Sequence, residues 1–348
     1  MERLRELGLR IGDFEAGAAN AITDVPGVRV GHVTVRRDEA PPPDGRGVAR
    51  TGVTAIVPQP VETLVARPVP AGAAVLNGAG ELTGFVQVGE WGQIETPVYL
   101  TSTMAVGRVF DGAVSVSLAA DGSVGTDNFV IPVVGECDDG WLNDARTVQV
   151  EAADAGRAVA AAAGGSVEEG AVGAGTGMIC FGWKGGIGTS SRIVGDHVVG
   201  VLLLANYGWA PELRIDGVPV GALVDRPPAG RERAAASSCI GVVATDAPLR
   251  THQLTRLARR VGLGLARTGS SASHGSGEIF IALSVGDHDE VSGNDIDPYF
   301  RAVVDATEEA VVNCLWAAAD TNGREGRVVR ALPHEPVLAL LREHRRIG

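Results

Sequence analysis

The chain has 348 residues, 45% of them hydrophobic and only 4% aromatic, with a formal net charge of −12. That length supports one large core or two ordinary domains. An acidic chain without a basic stripe is a poor partner for nucleic acid or for an anionic membrane surface.

In chain order, residues 28–35 read as an early strand, followed by an exposed loop at Pro41-Pro42-Pro43-Asp44-Gly45. Further strand-like apolar runs lie at 53–57, 129–134 and 197–205, with an Ala-rich helix expected at about 148–163 between the last two. A second Pro-rich break runs from Arg226 through Pro227-Pro228-Ala229-Gly230 to Ala236, polar and small as an accessible connection should be. The β-branched run 239–245 then predicts a buried strand. Thr251 is the expected N-cap of a helix with Leu254, Leu257, Ala258, Val261 and Leu265 on one stripe. On that helix Arg256, Arg259 and Arg260 form a solvated face. Residues 279–284 predict another strand, and 300–319 a long helix with Pro298 near its start, where proline is tolerated. Strands and helices alternate without an internal repeat, so the expected class is α/β (α+β) in layers.

The four cysteines, Cys137, Cys180, Cys239 and Cys314, contain no C-x-x-C pair. Zinc, thioredoxin-type chemistry and a disulfide framework are therefore not indicated. Cys180, Cys239 and Cys314 sit in apolar runs as small buried hydrophobes. The segment from Met1 to Arg10 is charged and lacks an apolar core, unlike a signal peptide. No uncharged apolar stretch reaches membrane-spanning length. A soluble, cytoplasmic protein is the expectation.

Several segments invite a chemical reading. Gly173-Ala-Gly-Thr-Gly177 lacks the G-x-G-x-x-G spacing, and Lys184 lacks the Ser or Thr that follows a phosphate-loop lysine. A glycine-rich turn where two backbones cross is the better reading. No H-E-x-x-H and no compact ligand set appears, so no catalytic metal and no cofactor is expected. A G-x-S-x-G elbow is also missing. What remains is Ser237-Ser238-Cys239, between the flexible linker and the buried strand. Spacing alone leaves two readings of it, the end of a loop or a nucleophile. A serine hydroxyl needs a base, and a serine at a new N-terminus carries one, since a free α-amine has a pKa of about 7.7–8.0.

At these residues the chain resembles the L-aminopeptidase/D-amidase-esterase family, DmpA-like proteins that include the β-aminopeptidases and are related to the ornithine acetyltransferases. The match is carried by Thr23-Asp-Val-Pro-Gly-Val-Arg-Val-Gly-His32, Asn77-Gly-Ala-Gly-Glu-Leu-Thr-Gly84 and Gly173-Ala-Gly-Thr-Gly-Met178. It continues through Lys184-Gly-Gly-Ile-Gly-Thr-Ser-Ser-Arg192, Ala205-Asn-Tyr-Gly208, residues 238–248 and His274-Gly-Ser-Gly-Glu278.

The resemblance implies an αββα sandwich over residues 1–348, cut by the chain itself into a large piece, 1–237, and a small one, 238–348. It implies Ser238 as nucleophile, Asn206 as oxyanion donor, and Ser276 and Glu278 as the second serine and the acid. Glu278 has two open roles, holding a substrate ammonium or orienting the nucleophile's amine. Ser237 departs from the Gly or Asn that many relatives carry there, which bears on how efficiently the chain is cut. Cys239 is a rival nucleophile that strand alternation should turn to the opposite face. Trp141 and Tyr207 are candidate walls of the substrate pocket.

The function implied is a serine aminopeptidase or amidase that acts on short peptides, amides or esters with a free amine. Its partner would be another copy of itself, in a tetramer or larger oligomer. Acyl transfer of the ornithine acetyltransferase type, or an unprocessed binding or scaffold role, are the alternatives.

Overall fold

The computed structural model describes residues 2–225, 237–286 and 291–348, so the linker 226–236 lies outside the described residues. Twelve strands carry the architecture. They are β1 (Arg29–Asp38), β2 (Val48–Val57), β3 (Val69–Gly78), β4 (Gln93–Ile94), β5 (Val98–Ser102), β6 (Val133–Cys137), the short pair β7 (Ile179–Cys180) and β8 (Trp183–Lys184), then β9 (Gly186–Val194), β10 (His197–Asn206), β11 (Ser237–Thr245) and β12 (Ser276–Ser284). One sheet has the order β1-β2-β5-β6 and the other β4-β3-β12-β11-β10-β9.

The side chains show how the layers stack. Along β11, Ile240, Val242 and Ala244 share a core with Leu202 and Leu204 of β10 and with Val53, Leu100 and Val134 of the other sheet. The alternate residues Cys239 and Val243 join a second core with Leu254, Leu257 and Val261 of the helix Thr251–Arg267 and with Ala306 and Ala310 of the helix Asp297–Ala317. On the far side of the four-stranded sheet lie the helices Val106–Ala120 and Ala153–Ala160, which contribute Val109, Ala113, Ala155 and Ala158. Period-two alternation on central strands buried on both faces produces this αββα arrangement.

Some boundaries differ from expectation. The Ala-rich segment is helical only over Ala153–Ala160. The run at 129–134 yields a strand only from Val133, and Phe129 stands exposed. Thr251 is the first helical residue rather than the N-cap, because its hydroxyl donates across to Gly92 O at 2.9 Å. Strands β3, β5 and β9 escape a periodicity search: their glycines, alanines and hydroxyls hide the apolar rhythm, although β5 and β9 are almost wholly buried. Arg256 and Arg260 do more than face solvent, since both lie over the Phe300 ring, at 4.9 and 3.7 Å from its centre.

Candidate active site

Strand register sets the site. Ser238 lies directly opposite Asn206 on antiparallel β10 and opposite Gly277 on parallel β12. Its place in the alternation, with Ile240 and Val242, turns the Ser238 and Asn206 side chains into the space between the sheets. There the hydroxyl meets the Cys137 thiol of β6, which burial pushes well above the usual range while contacts with Ser238 and the Ile240 backbone oppose the shift. Cys239 points the other way into the helix-facing core, and burial likewise raises its thiol well above the ordinary value.

Asn206 is clamped at both ends of its carboxamide. Its Oδ1 accepts the Ile179 N–H at 2.9 Å, and its Nδ2 donates to Asp138 O at 2.8 Å. Among the described residues that bond uses one of the two Nδ2 hydrogens.

Ser276 and Glu278 do share one side of β12, with the Ser276 hydroxyl donating to Glu278 Oε1. Register pairs them with Ser237 and Cys239, not with Ser238. The pair therefore flanks the 237–238 peptide from the face opposite the Ser238 hydroxyl. Glu278 is 1% exposed, its Oε2 has no hydrogen-bond partner among the described residues, and burial raises its carboxyl above the ordinary glutamate range against the Ser276 bond. Between these residues the backbones close up. A side chain on Gly277 would stand 2.6 Å from Ala79 O, and one on Gly80 would meet Glu136 Oε1 at 3.0 Å.

Glu136, on β6 beside Cys137, is a residue the sequence reading missed. It is 4% exposed, accepts the Glu81 N–H at 2.9 Å and the Thr103 hydroxyl, and is raised in pKa by burial. A glutamate inside the apolar run Val133-Val-Gly-Glu-Cys137 was the available signal. Of the two candidate walls, Trp141 is half-buried, under the Arg327 guanidinium at 4.1 Å, and packs beside Ile179, which holds Asn206. Tyr207 does not line the site. Its position in the alternation sends it into the helix-facing core, where its ring meets Phe181 edge-on and its hydroxyl bonds Thr268 at 2.9 Å.

Comparisons with known proteins place the chain in a family. The model of peptidase family S58 matches residues 20–329. The chain is 41% identical to the β-peptidyl aminopeptidase BapA of Sphingosinicella microcystinivorans, over 99% of this chain and 93% of that protein. The β-aminopeptidase of a Burkholderia species superposes with a TM-score of 0.90 at 41% identity, covering 98% of this chain and 99% of that one. The L-aminopeptidase D-Ala-esterase/amidase of Ochrobactrum anthropi, solved as a prototype serine aminopeptidase and a new variant of the Ntn hydrolase fold, gives 0.90 at 38% identity over 99% of each chain.

The chain belongs to peptidase family S58. It is a hydrolase of the serine aminopeptidase and amidase class.

Within the S58 chain the glycine-rich segment is indeed a backbone crossing. Gly173–Gly177 forms a 3-10 turn. A side chain on Gly175 would stand 2.5 Å from Ile187 N, and one on Gly177 2.2 Å from Arg50 O. Beneath it lies Lys184, wholly buried, its ammonium on the carbonyls of Gly175, Met178 and Gly185, and lowered to about 7 by that burial. Among the described residues no group of His, Cys, Asp and Glu is placed to hold a metal ion, and no helix is long and apolar enough to cross a membrane.

Proposed function

We propose that the chain cuts itself between Ser237 and Ser238 into pieces 1–237 and 238–348, and that the new N-terminal serine removes N-terminal residues from short peptides, amides or esters. The observation that carries this reading is the cross-strand pair Asn206–Ser238 in the inter-sheet space, with a buried, half-satisfied carboxylate on the other side of the 237–238 peptide.

In the cutting step, Ser238 Oγ attacks the Ser237 carbonyl carbon, the peptide C–N bond breaks, and the acyl group passes to oxygen while the nitrogen becomes a free amine. Water then hydrolyses the ester, leaving a carboxylate on Ser237. In turnover, Ser238 Oγ attacks the substrate carbonyl and its own α-amine takes and returns the proton. The free Nδ2 hydrogen of Asn206 donates to the oxyanion, and water releases the acyl group. Ser276–Glu278 flanks the amine rather than the hydroxyl, which supports the orienting role for Glu278. Glu136, on the hydroxyl's side of Gly277, is the better partner for a substrate ammonium; a buried carboxylate without a cation is costly.

The relatives named for β-peptidyl and L-aminopeptidase activity support substrates with a free amine, β-amino acids among them. Exposed Val86 and Trp91, the latter against Phe129 at 5.8 Å, support a homo-oligomer of the cut protomers. Four free, buried cysteines support a reducing, cytoplasmic setting.

The test is denaturing mass spectrometry of the wild type beside Ser238→Ala, with turnover of α- and β-aminoacyl amides. Two fragments parting before Ser238 and amine release in the wild type, with one inert chain in the variant, are expected. A wild type that stays whole, or a variant that keeps its turnover, would reject the reading.

A further inference from the structure

Lys184 is the single lysine among the chain's 30 Lys and Arg residues. Everywhere else this protein uses arginine for positive charge. At this position a planar guanidinium does not match what is asked: three carbonyls converge on one point, Gly175 O at 3.0 Å, Met178 O at 2.7 Å and Gly185 O at 2.7 Å. A compact ammonium has three hydrogens to give them. Among the described residues its hydrogen-bond partners are neutral carbonyls, so no carboxylate touches the charge. A cation buried in this way is expensive, and an apolar side chain of similar volume usually serves stability as well or better.

The peptide between Met178 and Ile179 connects this cation to the site. Its carbonyl accepts from Lys184 Nζ, and its N–H donates to Asn206 Oδ1 at 2.9 Å. A positive charge on the carbonyl end increases the peptide's dipole and strengthens what its N–H donates. Electron density is drawn from the Asn206 carboxamide, and its NH₂ becomes a better donor. The same contacts fix the amide's orientation, since the oxygen must face Ile179 N and the nitrogen must face Asp138 O.

We propose that Lys184 is a positioning residue that orients and polarises Asn206, through the Met178–Ile179 peptide, as the oxyanion donor opposite Ser238. The inference rests on the Ser238–Asn206 reading above. The burial that draws Lys184 toward about 7 is consistent with a cation held without a full counter-charge; Arg36, Asp139, Cys180 and Cys314 are the other ionisable groups it feels.

A double-mutant cycle tests it, with kinetics normalised to the cut fraction measured by mass spectrometry. Lys184→Met in the wild-type background is expected to lower kcat about tenfold with KM little changed, the loss of one charge-assisted hydrogen bond expressed as rate. The same change in Asn206→Ala is expected to cost less than about twofold, because the group through which Lys184 acts is gone. Equal losses in both backgrounds, or a shift in KM alone, would overturn the proposal.

A second measurement needs no lysine variant. Lysine labelled with ¹⁵N and ¹³C gives one side-chain signal in this protein. A peptide boronic acid, which places an oxyanion on Ser238, should move that signal in the wild type and leave it in place in Asn206→Ala. An inhibitor that stops turnover without moving the signal would also overturn it. A wild type that is neither cut nor active would reject the active-site reading first, and this inference with it.

Discussion

Two stretches of the chain are equally rich in buried polar residues, yet they use them in opposite ways. On β9 the hydroxyls of Thr189-Ser190-Ser191 are all engaged. Thr189 accepts from Ile22 N and donates to Val201 O, Ser190 donates to Ala306 O, and Ser191 donates to Asp24. Arg192, wholly buried, meets Glu309 at 2.6 Å and leaves only its Nε without a partner among the described residues, and Glu309 also accepts from Asn20. Around the start of β11 and β12, by contrast, Glu278 keeps one oxygen unpaired among the described residues, and Asn206, at the end of β10, spends one of its two Nδ2 hydrogens on Asp138 O. Both stretches carry the family's motifs. The first ties the N-terminal segment and the helix Asp297–Ala317 to the sheet, and the second leaves capacity for a reactant. Buried polarity whose hydroxyls and charges are paired with one another holds a fold together; a buried carboxylate oxygen left open, with no cation beside it, points to chemistry.

The comparison breaks most sharply at Arg192. Arg192→Met leaves Glu309 buried without its main cation, and losing one partner of such a pair costs about 3–5 kcal/mol. Denaturant unfolding should show that loss, while turnover per cut molecule stays at the wild-type level. A variant as stable as the wild type would mean that the β9 network does not brace the fold.

Glu278→Gln probes the other side and should move stability in the opposite direction. The folded-state pKa of Glu278 is raised by burial, so the folded chain binds more protons than the unfolded one above the ordinary glutamate value of 4.5. Stability contributed by this group is thus present in acid and lost as pH rises through the folded pKa. At pH 7 the glutamine variant should be about 1–2 kcal/mol more stable than the wild type, the usual penalty of a buried unsatisfied group. Below pH 4 the gap should close. Turnover should fall at every pH. A variant that loses stability at pH 7 would place Glu278 with the brace rather than with the site.

These contrasts also show what the sequence could and could not tell. The central strands were legible because 197–205, 239–245 and 279–284 are continuous apolar runs between turn residues. Ser238, Asn206, Ser276 and Glu278 were legible only through the family's motifs, since neither their types nor their spacing single them out. Which sheet face each occupies was only partly legible. Parity within β12 joins Ser276 to Glu278, but the parallel register that pairs them with Ser237 and Cys239 depends on a contact across 38 residues. Glu136 was hidden because it reaches Gly80 and Glu81 from a strand of the other sheet, brought in by packing that no local pattern encodes.

The smallest expected effect falls on Tyr207, next in sequence to Asn206. Successive residues along an extended chain face opposite ways, so the Asn206 and Tyr207 side chains are separated by the thickness of the sheet. The Thr268 hydroxyl gives its hydrogen to Leu265 O at 2.7 Å, so it receives the one from Tyr207. Tyr207→Phe removes that bond and leaves the ring against Phe181, for a loss of about 0.5–1.5 kcal/mol. Thr268 keeps its own partner, which holds the cost toward the lower end. Neither kcat nor KM should change on any aminoacyl amide. A substrate-dependent rise in KM would mean that the pocket reaches through the sheet to the helix-facing core, and the separation of brace and site drawn from the strand pleat would fail there.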